Sequence, residues 1–346
     1  MKSDGLWVIA QKELRDHFRS RKFLLIFGIF LIITVLGMVT GVAHYNKDLQ
    51  KYNERQSVID EDESEVRCGW QKPSIMTVYM GLSSLITIIF GGAILGIAMG
   101  FDLISKEKET KSLKMLLSNP IYRDEVINGK AIGGVMALAI VIGIVFIVTF
   151  AILIISGIVP EGDELLKILV YEGATFLMIL SYFALSLFMS TIANDSGTAL
   201  VYSLIIFVVI ICMGMAQGEI INQIIGDPPA QPEDELLLGS DLNSIKVIEE
   251  RDYKIWEEYN RKSDEYQNKR QSVSDIITLF SPPKNLRMVS DKMICLGKYY
   301  PGRYNRPEVT VTDIFGDILK NIIAMIAFPA LFLGLAYVRF MRMDIR

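Results

Sequence analysis

The chain has 346 residues, of which 51% are hydrophobic and 21% are charged, and its formal net charge is −4. It is too apolar for an ordinary soluble protein and too charged to consist of membrane spans alone, so we expect membrane spans joined to a polar domain. A negative net charge offers no basic field for nucleic acid. The three cysteines lack CxxC spacing and only two histidines are present, which argues against a metal site.

Residues 1–22 are rich in lysine and arginine and also carry an apolar stripe at every fourth position. This pattern favours an amphipathic helix at a membrane surface over a solvated basic tail. The uncharged stretch at 23–43 is then long enough to cross a bilayer as the first span. The stripe consists of Leu6, Ala10, Leu14 and Phe18.

Five further apolar stretches predict five more spans, which makes the chain an all-α polytopic membrane protein. In the second span, the spacing of Gly92, Gly96 and Gly100 lets two helix backbones approach closely, although glycine is also common in membrane helices. The five stretches lie at about residues 75–101, 131–155, 168–193, 198–216 and 318–338.

Orientation follows from the basic residues near the ends of the predicted spans. Six lie in the N-terminal tail, six in the loop at 102–130 and three in the tail after residue 338, against one in the connection between the third and fourth spans. Both termini and the 102–130 loop are therefore expected in the cytoplasm, and segments 44–74 and 217–317 outside.

Segment 217–317 is too long for a simple connection, so we expect a mostly helical extracytoplasmic domain or a disordered insert. Within it, apolar residues keep a heptad spacing from Leu242 to Val273, which predicts a long helix. We expect its part at 245–266 to pack on a continuation of the first helix, with a solvated helix as the alternative. The expected partners on that continuation are Leu49, Tyr52 and Ile59.

Cys68 and Cys295 both fall in the predicted outer segments, where disulfides persist. The sequence leaves two alternatives for them, a disulfide bridge or two free thiols.

The loop at 102–130 contains a short amphipathic stretch with three leucines on one side, ended by Pro120. The order of its residues resembles the loop between the second and third spans of type-2 ATP-binding-cassette exporter permeases. Lys111, Ser112 and Lys114 depart from the usual form of that loop. The matching residues are Glu107, Glu109, Leu113, Leu116, Leu117, Pro120, Arg123, Gly129 and Lys130.

The resemblance implies an N-terminal elbow helix, six spans and a homodimer or pseudo-dimer in the plasma membrane of a prokaryote, in contact with lipid. It also implies two copies of a separate P-loop ATPase that binds ATP and Mg, whereas this chain needs no cofactor of its own. The residues expected to contact the ATPase are Glu107, Glu109, Leu113, Leu116, Leu117, Pro120, Arg123, Asn194 and Asp195.

The chain lacks a G-x-x-x-x-G-K-[ST] loop, so we expect a non-catalytic subunit without catalytic residues. Glu172 is the one acidic residue within the predicted spans, and we expect its side chain to reach the outer interface. This disfavours an ion-coupled carrier. Two alternatives to an exporter stay open, which are a mechanotransmitting protein that acts on an extracytoplasmic partner and a membrane scaffold or sensor without an ATPase.

Overall fold

A computed structural model describes residues 4–61, 73–79, 91–112, 122–229, 242–294 and 311–343, and every regular element in these residues is a helix. The first four elements are α1 (Asp4–Arg19), α2 (Arg21–Glu61), α3 (Gly91–Gly100) and the short α4 (Ser105–Glu109). The next three are α5 (Arg123–Ile155), α6 (Gly162–Ile192) and α7 (Ser196–Met215). The last four are α8 (Gln217–Ile225), α9 (Leu242–Leu279), α10 (Pro282–Ile294) and α11 (Val311–Met341).

Five stretches in the described residues are long and apolar enough to cross a membrane, and they match the first, third, fourth, fifth and sixth predicted spans. The second predicted span lies partly outside the described residues, so a total of six spans stays a prediction. The five stretches are Arg21–Glu54, Arg123–Ile155, Gly162–Ile192, Ser196–Met215 and Ile318–Met341.

Helix α5 begins at Arg123, eight residues before the predicted start of the third span at 131. The N–H of Tyr122 donates to Glu125 Oε2 at 3.3 Å, and Asp124 adds a second acid to the first turn. Acidic side chains stabilise a helix N-terminus because they face its unpaired N–H groups. The polar stretch that the sequence assigned to the 102–130 loop therefore ends in helix.

The chain forms two compact units, and the first consists of Met1–Phe207 together with Pro282–Arg346. Helix α6 is central to this unit, since it packs against α3, α10 and α11. Its Tyr182 and Phe183 are fully buried. The predicted outer segment at 217–317 is thus divided, because α10 belongs to the unit that contains most of the predicted spans.

The second unit, Val208–Ser281, contains α8 packed on α9. The amide of Gln217 donates to Ser274 Oγ at 2.8 Å, and the hydroxyl of Tyr266 donates to the carbonyl of Gly226 at 3.4 Å. Helix α9 confirms the long helix predicted from the heptad spacing.

The expected packing of 245–266 on the first helix joins segments of different units and stays a prediction. Cys68 and Cys295 lie outside the described residues.

Candidate functional site at the loop end of the helices

The loop end is the end of the first unit where α3 leads into α4, α5 begins, α6 ends and α7 begins. A buried ion cluster lies here. Lys130 of α5, with 3% of its side chain exposed, donates from Nζ to Glu13 Oε1 of α1 at 2.5 Å and to Glu107 Oε1 of α4 at 2.8 Å. One cation therefore connects three helices. Without it, two carboxylates would face each other in a poorly hydrated space.

The close approach of α1 to α5 depends on two glycines that flank Lys130. A Cβ atom at Gly129 would lie 2.8 Å from the Cβ of Ile9, and one at Gly133 would lie 2.7 Å from the carbonyl oxygen of Ala10. Any larger residue would push α1 away and lengthen the ion pair between Lys130 and Glu13. The Gly-Lys pair of the sequence motif thus has a local structural role.

His17 of α1 and Asp102, in the turns after α3, lie beside this cluster. Burial lowers the pKa of His17 below its ordinary value of 6.5, although the charges of Glu13 and Asp102 oppose the shift. Burial raises the pKa of Asp102, against the opposing charges of nearby cations. The imidazole Nε2 of His17 is buried and has no hydrogen-bond partner in the described residues, which fits a neutral ring.

Helix α4 contacts the C-terminus of α6 through Lys108. Its Nζ donates to the carbonyl oxygens of Thr191 at 2.6 Å and Ala193 at 2.9 Å. These carbonyls have no partner within α6, and the helix dipole makes a cation favourable there. Burial and, second, the charge of Arg339 lower the pKa of Lys108 to about 8, so the side chain still carries its proton at neutral pH.

The hydroxyl of Ser190 holds the start of α4 against α6. Its oxygen accepts the N–H groups of Ile104 at 3.0 Å and Ser105 at 2.9 Å, which are donors that a helix N-terminus leaves unpaired. Ser190 is fully buried. A side chain of α6 therefore satisfies the backbone of the incoming loop.

Glu109 contacts the N-terminus of the next helix, α7. Its Oε2 accepts the backbone N–H of Ser196 at 3.2 Å and the hydroxyl of Ser196 at 3.0 Å. Asp195 caps the same helix, because Oδ1 accepts the N–H of Thr198 at 2.8 Å and Oδ2 accepts its hydroxyl at 2.6 Å. These bonds hold the pKa of Asp195 below its ordinary value.

Lys108 and Glu109 together place opposite charges at the two helix ends that flank the turn at 193–195. The cation meets the C-terminus of α6 and the anion meets the N-terminus of α7, which is the favourable arrangement at both ends. The short helix α4 is therefore held to that turn at two points.

Arg123, at the start of α5, donates from Nη1 to the carbonyl oxygen of Met343 at 2.9 Å. This bond connects the end of the loop with the residues that follow α11.

The structure brings four of the predicted ATPase-contact residues to the loop end, namely Glu107, Glu109, Arg123 and Asp195. Each makes a hydrogen bond or an ion pair within the chain. Asn194 is exposed beside them. The other predicted contact residues, Leu113, Leu116, Leu117 and Pro120, lie outside the described residues.

The predicted glycine face of α3 lies against α6. A Cβ atom at Gly96 would lie 2.5 Å from the carbonyl oxygen of Ile179, and one at Gly100 would lie 2.7 Å from the carbonyl oxygen of Phe183. A Cβ atom at Gly92 would lie 2.8 Å from the terminal methyl group of Met178. All three glycines therefore face another helix of the same chain.

Sequence reasoning missed Glu13, His17, Lys108 and Ser190. The sequence did contain a signal for two of these residues. Ile9, Glu13 and His17 are four residues apart and therefore share one helix face, and Glu13 places an acid on that face. An acid on an apolar face indicates a buried basic partner. No comparable pattern pointed to Lys108 or Ser190, whose partners come from distant parts of the chain.

The expectation for Glu172 was wrong. The residue is 5% exposed and lies within the first unit, rather than reaching an interface. Its neighbours Tyr171 and Thr175 on α6 are also buried, so this part of α6 is enclosed by the packed helices.

The family described as "ABC-2 family transporter protein" matches residues 7–345 of the chain. The chain is also 26% identical over 199 residues to the "Probable ABC transporter permease protein NosY" of Pseudomonas aeruginosa. That alignment covers 56% of this chain and 62% of the relative, so the chain spans less than two thirds of the relative's length.

Proposed function

Because the chain belongs to the ABC-2 family of transporter proteins, we propose that it is the permease subunit of an ATP-driven exporter. Two copies of a separate P-loop ATPase bind ATP and Mg and supply the energy. A second copy of the permease completes the membrane part in the plasma membrane of a prokaryote. The chain itself transmits the movement of the ATPase to the membrane helices and catalyses no reaction.

In this proposal the loop end faces the cytoplasm and α1 is the elbow helix at the membrane surface. The support is the distribution of basic residues, with six in residues 102–130 against one in the connection between α5 and α6. The turn at 156–161 then faces the outside, as does the predicted outer domain.

The observation that carries the proposal is the set of contacts made by α4, which directly precedes the predicted ATPase-contact stretch at 113–120. Glu107 connects α4 with α5 and, through Lys130, with α1. Lys108 connects it with α6, and Glu109 connects it with α7. A displacement of this five-residue helix therefore displaces four longer helices at the same time.

The mechanism follows from these contacts. When ATP closes the ATPase dimer, it pushes the stretch at 113–120. The turn at 193–195 moves with that stretch, because α4 holds the turn. The long helices move as rigid bodies, since their internal hydrogen bonds do not break. Packed helix interfaces favour discrete arrangements over continuous deformation, so the push selects a second arrangement that opens a path outward.

A second candidate function is mechanotransmission, in which the same push acts on an extracytoplasmic partner and nothing crosses the membrane. The observation that favours it is the compact second unit, Val208–Ser281, which contains the whole 38-residue helix α9. A membrane scaffold without an ATPase would not need the stretch at 113–120 to bind a partner.

Leu116→Asp tests the proposal. An exposed leucine gains roughly 1.5–3 kcal/mol when a partner buries it, and a buried carboxylate reverses that gain. We expect the variant to lose co-purification of the ATPase or to separate ATP hydrolysis from transport. Val159→Asp is the control, because Val159 is 74% exposed at the opposite end of the helices. Unchanged ATPase binding and coupling in Leu116→Asp would refute the coupling role of the loop.

If the complex binds its ATPase and hydrolyses ATP in proteoliposomes, and these accumulate no substrate, mechanotransmission is favoured. Purification of the native chain without any ATPase would favour the scaffold.

A further inference from the structure

Glu172 of α6 is a buried acid that the mechanism above does not use. It lies ten residues after the start of α6, which is about 15 Å along the helix axis and within a membrane span. Its surroundings are α5, which contributes the fully buried Thr149, and residues 76–79, which contribute the fully buried Tyr79. The ring of Tyr79 packs edge to face on Tyr171 at 5.3 Å.

The negative charge of an ionised Glu172 would have no compensation in this position. Glu172 makes no ion pair in the described residues, and its Oε1 is buried without a hydrogen-bond partner. Lys167, the nearest basic residue along α6, is paired with Asp163. An unpaired carboxylate in so apolar a place is strongly unfavourable, and such a group becomes neutral by taking up a proton.

The hydroxyl of Thr149, on α5, is a polar neighbour of the carboxyl group of Glu172. Thr149 donates its own proton to the carbonyl oxygen of Phe146 at 3.0 Å, so its oxygen is left as an acceptor. It is the polar neighbour shared by Glu172 and by the phenol of Tyr79, the titratable group that faces the carboxyl from residues 76–79. The acid form of Glu172 can donate to the oxygen of this hydroxyl, whereas an ionised Glu172 would keep a charge that no cation in the described residues compensates.

We propose that Glu172 is a proton-binding site inside the membrane part of the chain, occupied while α6 packs against α5 and residues 76–79. If these helices separate, water reaches the carboxyl group, the O–H bond breaks heterolytically, and the proton passes to water while the electron pair stays on the carboxylate. Because the separated arrangement binds the proton more weakly, a rise in pH favours that arrangement. The occupied site does not depend on the proposed function, whereas release during a transport cycle rests on it.

Infrared spectroscopy of the purified full chain at neutral pH tests whether the site is occupied. We expect a carbonyl stretching band of a protonated carboxylic acid in the wild type that is lost in Glu172→Gln. Glu164→Gln, in the first turn of the same helix, is the control and should keep the band. If Glu172→Gln has the same protonated-acid bands as the wild type, the proposal is overturned, because Glu172 would then be ionised in the wild type.

A second measurement covers the case in which Glu172→Gln does not fold. Dicyclohexylcarbodiimide reacts with neutral carboxyl groups in apolar surroundings, adding across the acid and rearranging to an N-acylurea. We expect mass spectrometry of the wild-type chain to find this adduct on Glu172 and less of it as the pH rises. Infrared spectra that contain only ionised carboxylate bands, together with an unmodified Glu172, would overturn the proposal.

The release step needs the complex with its ATPase. We measure the ATPase rate of the complex in proteoliposomes as a function of pH. We expect the rate of the wild type to depend on pH and the rate of Glu172→Gln to depend on pH less. Equal pH dependence in both would overturn release while leaving the exporter proposal intact, since the Leu116→Asp experiment tests that separately.

Discussion

Lys130 holds the helices of the loop end together. It forms ion pairs with two carboxylates, and only 3% of its side chain is exposed. We expect Lys130→Met to lower the free energy of unfolding by about 3–5 kcal/mol, because it leaves Glu13 and Glu107 buried without a cation. Thermal unfolding of the purified chain in detergent measures this.

Lys262→Met is the matched control, because Lys262 pairs with Glu258 at 2.7 Å with both side chains 57% exposed. Exposed pairs contribute about 0–1 kcal/mol. Similar shifts of the unfolding temperature in both variants would contradict the assigned role of Lys130.

His17 predicts a pH dependence of stability at the same place. Its pKa in the folded chain lies below 6.5, so the unfolded chain takes up the proton first as the pH falls. The stability contributed by the neutral ring is therefore fully present above pH 6.5 and is lost as the pH falls from there towards the lowered pKa. His17→Phe keeps a ring beside Phe23 and should lose less stability over this range than the wild type.

The measurement is the unfolding temperature as a function of pH. His44→Phe is the control, since His44 is exposed and should follow the wild type. A His17→Phe curve parallel to the wild-type curve on the acid side would refute the burial of a neutral imidazole.

At the scale of elements, the contact between α3 and α6 depends on the missing side chains of its glycines. Gly96→Leu must push the two backbones apart, since a Cβ atom would lie 2.5 Å from the carbonyl oxygen of Ile179. We expect a loss of about 1–3 kcal/mol or more in stability, as for other overpacked cores. Gly143→Leu on α5 is the control, because no atom lies within 4 Å of its added Cβ.

Thermal unfolding and the dimer content in detergent measure the effect of Gly96→Leu. If both variants behave alike, the close approach of α3 and α6 does not limit stability.

At the scale of the whole molecule, a bridge between Cys68 and Cys295 would join the two predicted outer segments. Closing so long a loop would stabilise the chain by about 2–4 kcal/mol. We predict a disulfide-linked peptide in mass spectrometry of unreduced protein that has matured across the membrane. Cys212 is free and exposed on α7 and must react with an alkylating agent in the same sample. Alkylation of all three cysteines would exclude the bridge.

The sequence by itself determined the elements of this protein. Long uncharged stretches such as 23–43 predicted the spans, because helix formation satisfies the backbone inside a bilayer. The heptad spacing from Leu242 onward predicted α9, and the motif around Glu107 and Arg123 pointed to the loop end. Each of these signals is local, since it depends on residues close together in the chain.

Only the tertiary structure decided which polar groups meet. Lys130 lies 117 residues from Glu13, and Lys108 lies 83 residues from Thr191, so no periodicity links them. Glu172 looked like an interfacial residue because its distance from the helix end was known but its direction was not. Burial is a property of the packed helices, and it alone separates a carboxyl group that reaches water from one that is enclosed.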